Sequence, residues 1–133
     1  MIWSVLFGIF FILHALIHLL YSGQALRFFE LRPGLTWPDG SWAFSNLLGD
    51  PATRWLAAIS LAPAALGFLA AGLGTFLEVG WWRTMTLSAT GFSVLIYLLF
   101  WDGKFHELPD QGWVGIFINL AILVVLLVFE WHV

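Results

Sequence analysis

The chain has 133 residues, of which 61% are hydrophobic and only 10% are charged. A soluble domain carries roughly 25% charged residues, so this composition excludes an ordinary water-soluble fold and favours one domain inside a membrane. The net charge is −3 and the five basic residues form no patch, so we expect no nucleic acid partner. The sequence contains no cysteine, which excludes disulfides, thiolate metal sites, iron–sulfur clusters and cysteine nucleophiles.

Four apolar stretches are long enough to cross a hydrocarbon core of about 30 Å, which takes roughly 20 helical residues. In chain order they predict helices over about 2–28, 51–76, 81–101 and 113–131, with an interfacial segment over about 33–50. Backbone groups in lipid must be satisfied within their own segment, which requires helices. The predicted fold is all-α: a bundle of four transmembrane helices that forms a single domain over 1–133.

Proline and glycine positions mark the connections between these helices. Pro33 ends the first one, because proline cannot continue a helix and keeps the residue before it out of α geometry. Asp50-Pro51 is typical of a helix start, with a capping carboxylate followed by proline at the first helical position. Gly80 joins the second and third helices by a tight turn, which predicts that these two are antiparallel neighbours.

The distribution of basic residues predicts the orientation. Four of them lie on the side of the first and third connections: Arg27, Arg32, Arg54 and Lys104. Arg83 stands on the other side. The positive-inside rule therefore places the first and third connections in the cytoplasm and both termini outside. We expect a multi-pass protein of the bacterial inner membrane, with membrane lipids as its immediate partners.

Polar residues recur on one face of several helices. Counting inward from the cytoplasmic ends at about 1.5 Å per residue places these residues in overlapping layers. They predict a polar pocket in the cytoplasmic half of the bundle, with Asp102 and Lys104 at its mouth. Nine candidate ligand-binding residues follow: His14, His18, Tyr21, Ser93, Tyr97, Trp101, Asp102, Lys104 and Asn119. Ionisable groups within a span are functional candidates, although such polar groups also simply bond across helix interfaces.

The histidines raise the question of a metal or a haem. His14 and His18 are one turn apart, but a metal site needs three or four ligands. Asp102, His106 or Glu107 completes such a site only if the third connection folds back over the pocket. Two histidines on one helix face cannot ligate opposite faces of a porphyrin, so haem would require His14 or His18 to pair with His106. No serine lies in a nucleophile turn and no phosphate loop is present, so we name no catalytic residue.

A stripe of small residues runs along the second helix. Ser60, Ala64, Gly67, Ala71 and Gly74 recur at helical spacing. Small residues let neighbouring backbones approach closely, which favours helix association where the hydrophobic effect is absent. The stripe therefore permits a homodimer through 51–76, or a place in a larger membrane complex.

The segments HALIHL at 14–19 and WDGKF at 101–105 resemble those of a loose group of small bacterial four-helix membrane proteins, some of them labelled DoxX-like. The group has a histidine in the first helix, a W-x-D-x-K-F-like segment after the third and an asparagine in the fourth. The matching positions here are His14 or His18, Asp102, Lys104, Phe105 and Asn119. The resemblance implies the four-helix fold and the same choice of residues, and it implies no activity.

These features favour a non-catalytic protein: an accessory subunit, or a binder of a small apolar ligand such as a lipid or a quinone. The ligand head would bond His18, Tyr97 and Asn119 while its tail lies between helices. One alternative is a metal-dependent membrane enzyme or redox protein that uses His14 and His18. Another is a dimeric transporter or channel.

Overall fold

The structure is a computed structural model that describes residues 2–106 and 108–128. The elements in this part of the chain are α1 (Ile2–Ala25), α2 (Ser45–Leu48), α3 (Asp50–Phe76), α4 (Trp82–Leu99), a 3₁₀ helix (Leu108–Gln111), α5 (Trp113–Leu123) and a π-helical segment (Val124–Val128). Every regular element among the described residues is helical, so the predicted all-α class is confirmed. The predicted end of the fourth helix at 131 and the candidate ligand Glu107 lie outside the described residues.

The interior contains many polar side chains beside its apolar core, and large apolar side chains cover the exterior, which is unusual for a soluble protein. Ten buried polar side chains come from four helices: Ser4, His14, His18, Gln24, Thr53, Thr75, Thr86, Thr90, Ser93 and Asn119. Large apolar side chains cover the outside of the same helices, including Leu13 at 55%, Leu66 at 65%, Leu95 at 51% and Phe117 at 63% exposure. An apolar surface of this extent suits hydrocarbon rather than water.

Two helices are long and apolar enough to cross a membrane by length and composition. These are α1, with 24 residues, and α3, with 27 residues. The continuous helical stretch Trp113–Val128 is a shorter apolar one. Together with the apolar exterior, the two long helices support a membrane location.

Close backbone approach holds α1 against α3, and the packing then continues from α3 to α4 and from α4 to α5. A Cβ atom on Gly72 would lie 2.9 Å from the carbonyl oxygen of Gly8 and 2.8 Å from Cγ1 of Ile12. On the next face of α3, a Cβ atom on Gly67 would lie 2.9 Å from the Cβ atom of Ala89 in α4. Only glycine at these two positions of α3 permits the observed helix distances.

The small-residue stripe of α3 packs mainly against other helices of the same chain. Ala64, Ala71 and Gly74 are buried, and Gly67 faces α4. Small residues thus bring α3 close to its neighbours in the same chain, as they do in packed membrane helices. The homodimer through this stripe stays a prediction.

The first and third connections lie at the same end of the helices and are bonded to each other. Nε of Arg32 donates to Oδ2 of Asp110 at 2.7 Å, and the backbone N–H of Trp42 donates to the carbonyl of Trp101 at 2.8 Å. The Ser41 hydroxyl donates to the carbonyl of Leu99 at 2.7 Å, which satisfies one of the free carbonyls at the end of α4. Residues on these two connections therefore share one surface.

Helix α1 ends at Ala25 rather than near residue 28. Arg27 adopts a left-handed conformation with φ of 61°, and the N–H of Phe28 donates back to the carbonyl of Gly23 at 3.0 Å. A left-handed residue followed by such a backward bond is a common way to end a helix. The buried Gln24 then holds the segment after α1 against the helices, because its Nε2 donates to the carbonyl of Leu35 at 3.0 Å. As a result, part of the segment predicted to be interfacial is buried among the helices.

We expect Gly72→Ala to lower the melting temperature of the protein in detergent. The added methyl group pushes α1 away from α3, and overpacking of this kind costs about 1–3 kcal/mol. Gly91→Ala is the matched control, since a Cβ atom at Gly91 in α4 meets nothing within 4 Å. The control should melt at the wild-type temperature or above it, and equal losses in the two variants would contradict the close approach of α1 and α3.

Candidate functional site

Four buried side chains from three helices form one hydrogen-bonded polar cluster: His14 and His18 of α1, Ser93 of α4 and Asn119 of α5. Nε2 of His14 lies 2.8 Å from Oδ1 of Asn119, and Nδ2 of Asn119 lies 2.8 Å from Oγ of Ser93. Oγ of Ser93 lies 2.5 Å from Nε2 of His18, whose Nδ1 lies 2.8 Å from the carbonyl oxygen of His14. None of the four residues is more than 2% exposed, so the polar cluster is shielded from the surroundings.

The acceptors fix the proton positions in the polar cluster. A backbone carbonyl only accepts, so Nδ1 of His18 carries a proton and donates to His14. With both imidazoles neutral, Nε2 of His18 then accepts from the Ser93 hydroxyl, and Ser93 in turn accepts from Nδ2 of Asn119. The amide oxygen of Asn119 accepts from Nε2 of His14. Every bond in the ring has one donor and one acceptor.

The opposite orientation of the Asn119 amide would charge the cluster. The amide oxygen of Asn119 would then accept the hydroxyl proton of Ser93. Ser93 could no longer donate to His18, so Nε2 of His18 would have to donate to Ser93. Because Nδ1 of His18 already donates to a carbonyl, this ring would carry protons on both nitrogens. A positive charge buried without a counter-ion is costly, so the neutral ring is the favoured arrangement.

Aromatic rings enclose the two imidazoles. Phe10 stacks on His14 with ring centroids 6.0 Å apart and an interplanar angle of 6°. Phe68 contacts both rings, at 4.6 Å from His14 and 5.0 Å from His18. Tyr97 lies 5.7 Å from His18. The imidazoles of the first helix therefore point into the protein, as the shared face of α1 predicts.

Tyr21 and Tyr97 belong to an aromatic group beside the polar cluster, without a bond to it. Their ring centroids are 5.3 Å apart, and the Tyr21 hydroxyl donates to the carbonyl of Pro109 at 3.2 Å. The buried Tyr97 hydroxyl and the buried Nε1 of Trp37 have no hydrogen-bond partner among the residues that the structure describes. Burial of a donor without a partner is costly, so these two groups are exceptions among the buried polar atoms. Trp37 was not a candidate, because a loop residue carries no periodic signal.

Three other candidates form a turn of their own outside the helices. Nε1 of Trp101 donates to the carbonyl of Lys104 at 2.8 Å, and the N–H of Lys104 donates to Oδ1 of Asp102 at 2.8 Å. Nε2 of His106 lies 3.6 Å from Oδ2 of Asp102. The candidate metal ligands are thus split into two pairs, His14 with His18 and Asp102 with His106. Within 2–106 and 108–128 no group of three or more His, Asp or Glu side chains is arranged to hold a metal ion.

An apolar groove lies between α1 and the α5 end of the chain. Its volume is about 430 Å³, and aromatic and aliphatic side chains line it: Trp3, Leu6, Phe7, Phe10, Phe11, Ile118, Ala121, Ile122, Val125 and Leu126. No member of the polar cluster is among them. Sequence patterns do not predict this groove, because its residues have the same apolar composition as the outer surface of the helices. Instead of an open polar pocket, the structure has a closed polar cluster with an apolar groove beside it.

Comparisons with models of protein families, with curated proteins and with solved structures found no match to this chain.

We expect Asn119→Leu to destabilise the fold, since it leaves polar groups of His14 and Ser93 buried without partners. The loss should be about 1–3 kcal/mol in the free energy of unfolding, the usual cost of such unpaired groups. Thr90→Val is the control: Thr90 is equally buried, but its hydroxyl donates only to the carbonyl of Thr86 in its own helix, at 2.6 Å. Denaturant titration in detergent gives the free energy of unfolding of both variants. Equal losses would show that the polar cluster stabilises the fold no more than the single bond of Thr90 does.

Proposed function

We propose that the protein is an integral membrane protein that crosses the bilayer four times, with the first and third connections in the cytoplasm. The apolar outer surfaces of α1, α3, α4 and the helical stretch Trp113–Val128 support four crossings. Helix α4 has 18 residues, which at about 1.5 Å per residue gives about 27 Å, close to the hydrocarbon thickness. The joined first and third connections carry three basic residues, and Arg54 near the start of α3 is a fourth at the same end of the helices, which supports the orientation.

We further propose that the protein is a non-catalytic binder of a membrane molecule with a long apolar chain, such as a lipid or a quinone. The groove between α1 and α5 carries this proposal. Its lining is almost wholly apolar, so it has few polar groups that could bind a polar substrate. It does provide a continuous apolar surface for a hydrocarbon chain. Trp3, Leu6 and Phe10 at its rim are exposed, whereas Phe11 and Leu126 in its floor are buried. A chain that enters from the bilayer would therefore reach an already formed floor.

The polar cluster supports the groove indirectly. The walls of the groove belong to α1 and α5, whose main packing partners are α3 and α4 respectively. The bond between His14 and Asn119 joins these two walls directly. His18 and Asn119 are already paired within the cluster, so of the three residues expected to bond a ligand head only Tyr97 has a free polar group. Binding by the apolar chain thus has the stronger support.

Single cysteines introduced into the cysteine-free chain test the four crossings. We expect a membrane-impermeant maleimide to label Gly80→Cys in intact cells, and to label Glu30→Cys and Lys104→Cys only after permeabilisation. All three positions are exposed, and a Cβ atom at Gly80 meets nothing within 4 Å. Labelling of Gly80→Cys and Lys104→Cys from the same side would contradict a crossing by α4. The reverse pattern at all three positions would overturn the orientation alone.

Ala121→Phe tests the groove, because it places a ring among the lining residues. Using native mass spectrometry of detergent-purified protein, we expect the variant to lose bound lipid and bound decyl-benzoquinone, and the quinone should no longer raise its melting temperature. The added ring removes the space that a hydrocarbon chain would fill.

Leu120→Phe is the matched control, since Leu120 precedes Ala121 on α5, is 44% exposed and does not line the groove. It should bind like the wild type. Absence of any retained lipid or quinone from the wild-type protein, or equal binding by the two variants, would overturn the proposed function.

A further inference from the structure

A second cavity lies at the opposite end of α1 from the groove, between the end of α1 and the start of α3. Its volume is about 270 Å³, and the residues that line it include Arg27 and Arg54 beside Phe28 and Trp55. We call it the basic cavity. Phe28 is 76% exposed and Trp55 is 60% exposed, so aromatic rings stand at its mouth. Trp at such a position is typical of the headgroup level of a bilayer.

Both guanidinium groups are held in place by bonds on the far side of the basic cavity. Nε and Nη2 of Arg54 donate to the two carboxylate oxygens of Asp39, at 2.6 Å and 2.5 Å. Nη2 of Arg27 lies 3.0 Å from Oδ1 of the same carboxylate. One carboxylate thus bridges two cations, and these bonds leave Nη1 of Arg54 for another acceptor.

Arg27 occupies a backbone position that glycine usually fills. Its φ of 61° is unfavourable for a residue with a side chain, so neighbouring contacts must maintain it. Those contacts are made by its guanidinium group, which donates to the carbonyls of Gln24 at 2.8 Å, Trp37 at 2.8 Å and Thr36 at 2.6 Å. The strained backbone and the three carbonyls fix the Arg27 side chain where it lines the basic cavity.

The charges around the basic cavity are distributed unevenly. The carboxylates of Asp39 and Asp50 balance the two arginines in number, but neither carboxylate lines the cavity. Oδ1 of Asp50 accepts from the N–H of Gly40 at 3.1 Å, on the side of the first connection. The charged residues that line the cavity are therefore both arginines, each paired with Asp39, and the N-terminal turn of α3 adds its positive dipole end at Pro51.

We propose that the basic cavity binds a phosphate group, with the headgroup of an anionic phospholipid as its source. Guanidinium groups match phosphate oxygens in geometry and charge, and the apolar and aromatic mouth suits the start of the acyl chains. The cytoplasmic leaflet, where the proposed orientation places this end of the chain, is the one rich in anionic lipid. The site goes beyond the proposed binding of an apolar chain and shares with it only the membrane location.

The test is native mass spectrometry of the full chain released from mixed micelles of phosphatidylglycerol and phosphatidylcholine. The wild type should retain phosphatidylglycerol over phosphatidylcholine, and Arg54→Gln should lower its retention about tenfold, as expected for loss of a charge-assisted contact. Lys104→Gln is the matched control, because it removes one positive charge at the same end from an exposed residue outside the cavity. The control should retain the wild-type preference.

Two further measurements complete the test: a charge-conserving variant of Arg54 and a competition with inorganic phosphate. Arg54→Lys keeps the charge and should fall between the wild type and Arg54→Gln, which guards against a glutamine variant that does not fold. Inorganic phosphate added to the micelles separates the two sources: displacement of the lipid assigns the site to free phosphate, and retention assigns it to the headgroup. Equal retention of the two lipids by the wild type, or equal losses in Arg54→Gln and Lys104→Gln, would overturn the site. Neither result depends on the groove between α1 and α5.

Discussion

The hydrogen bond between His14 and Asn119 is the contact on which the arrangement of the helices depends. The main packing runs from α1 through α3 and α4 to α5, and this pair adds a direct hydrogen bond between the first and last helices of the series. In a surrounding without water, polar groups that lost their partners would find no replacement. The bond therefore sets the distance between α1 and α5, and with it the width of the groove that lies between them.

The hydrophobic effect cannot hold these helices together in a bilayer, because lipid chains are as apolar as leucine. The structure uses two other means. Glycine brings backbones into contact at Gly8 and Gly72, and buried polar groups bond across helices at Ser93 and Asn119. The apolar groove lies at one end of α1, and the basic cavity, lined in part by Arg27 and Arg54, lies at the other.

Periodicity predicted the parts of the site that lie on helices. His14 and His18 share a face of α1, and counting residues from the helix ends placed Ser93 and Asn119 at a similar depth, where the structure joins them. Residues on connections were beyond this reasoning, because loop geometry has no repeat: Trp37 is buried, and Asp102 pairs with His106 away from the helices. The groove was equally hidden, since an apolar side chain that faces a cavity and one that faces lipid look the same in sequence.

The closed ring of bonds in the polar cluster has a consequence for proton conduction. A relay across a membrane needs each group to receive a proton on one side and release one on the other. In the ring, His18 donates to the backbone carbonyl of His14, and a carbonyl has no proton to pass on. The chain of donors therefore ends inside the same helix in which it starts. As arranged, the polar cluster joins the helices and does not form a continuous proton relay.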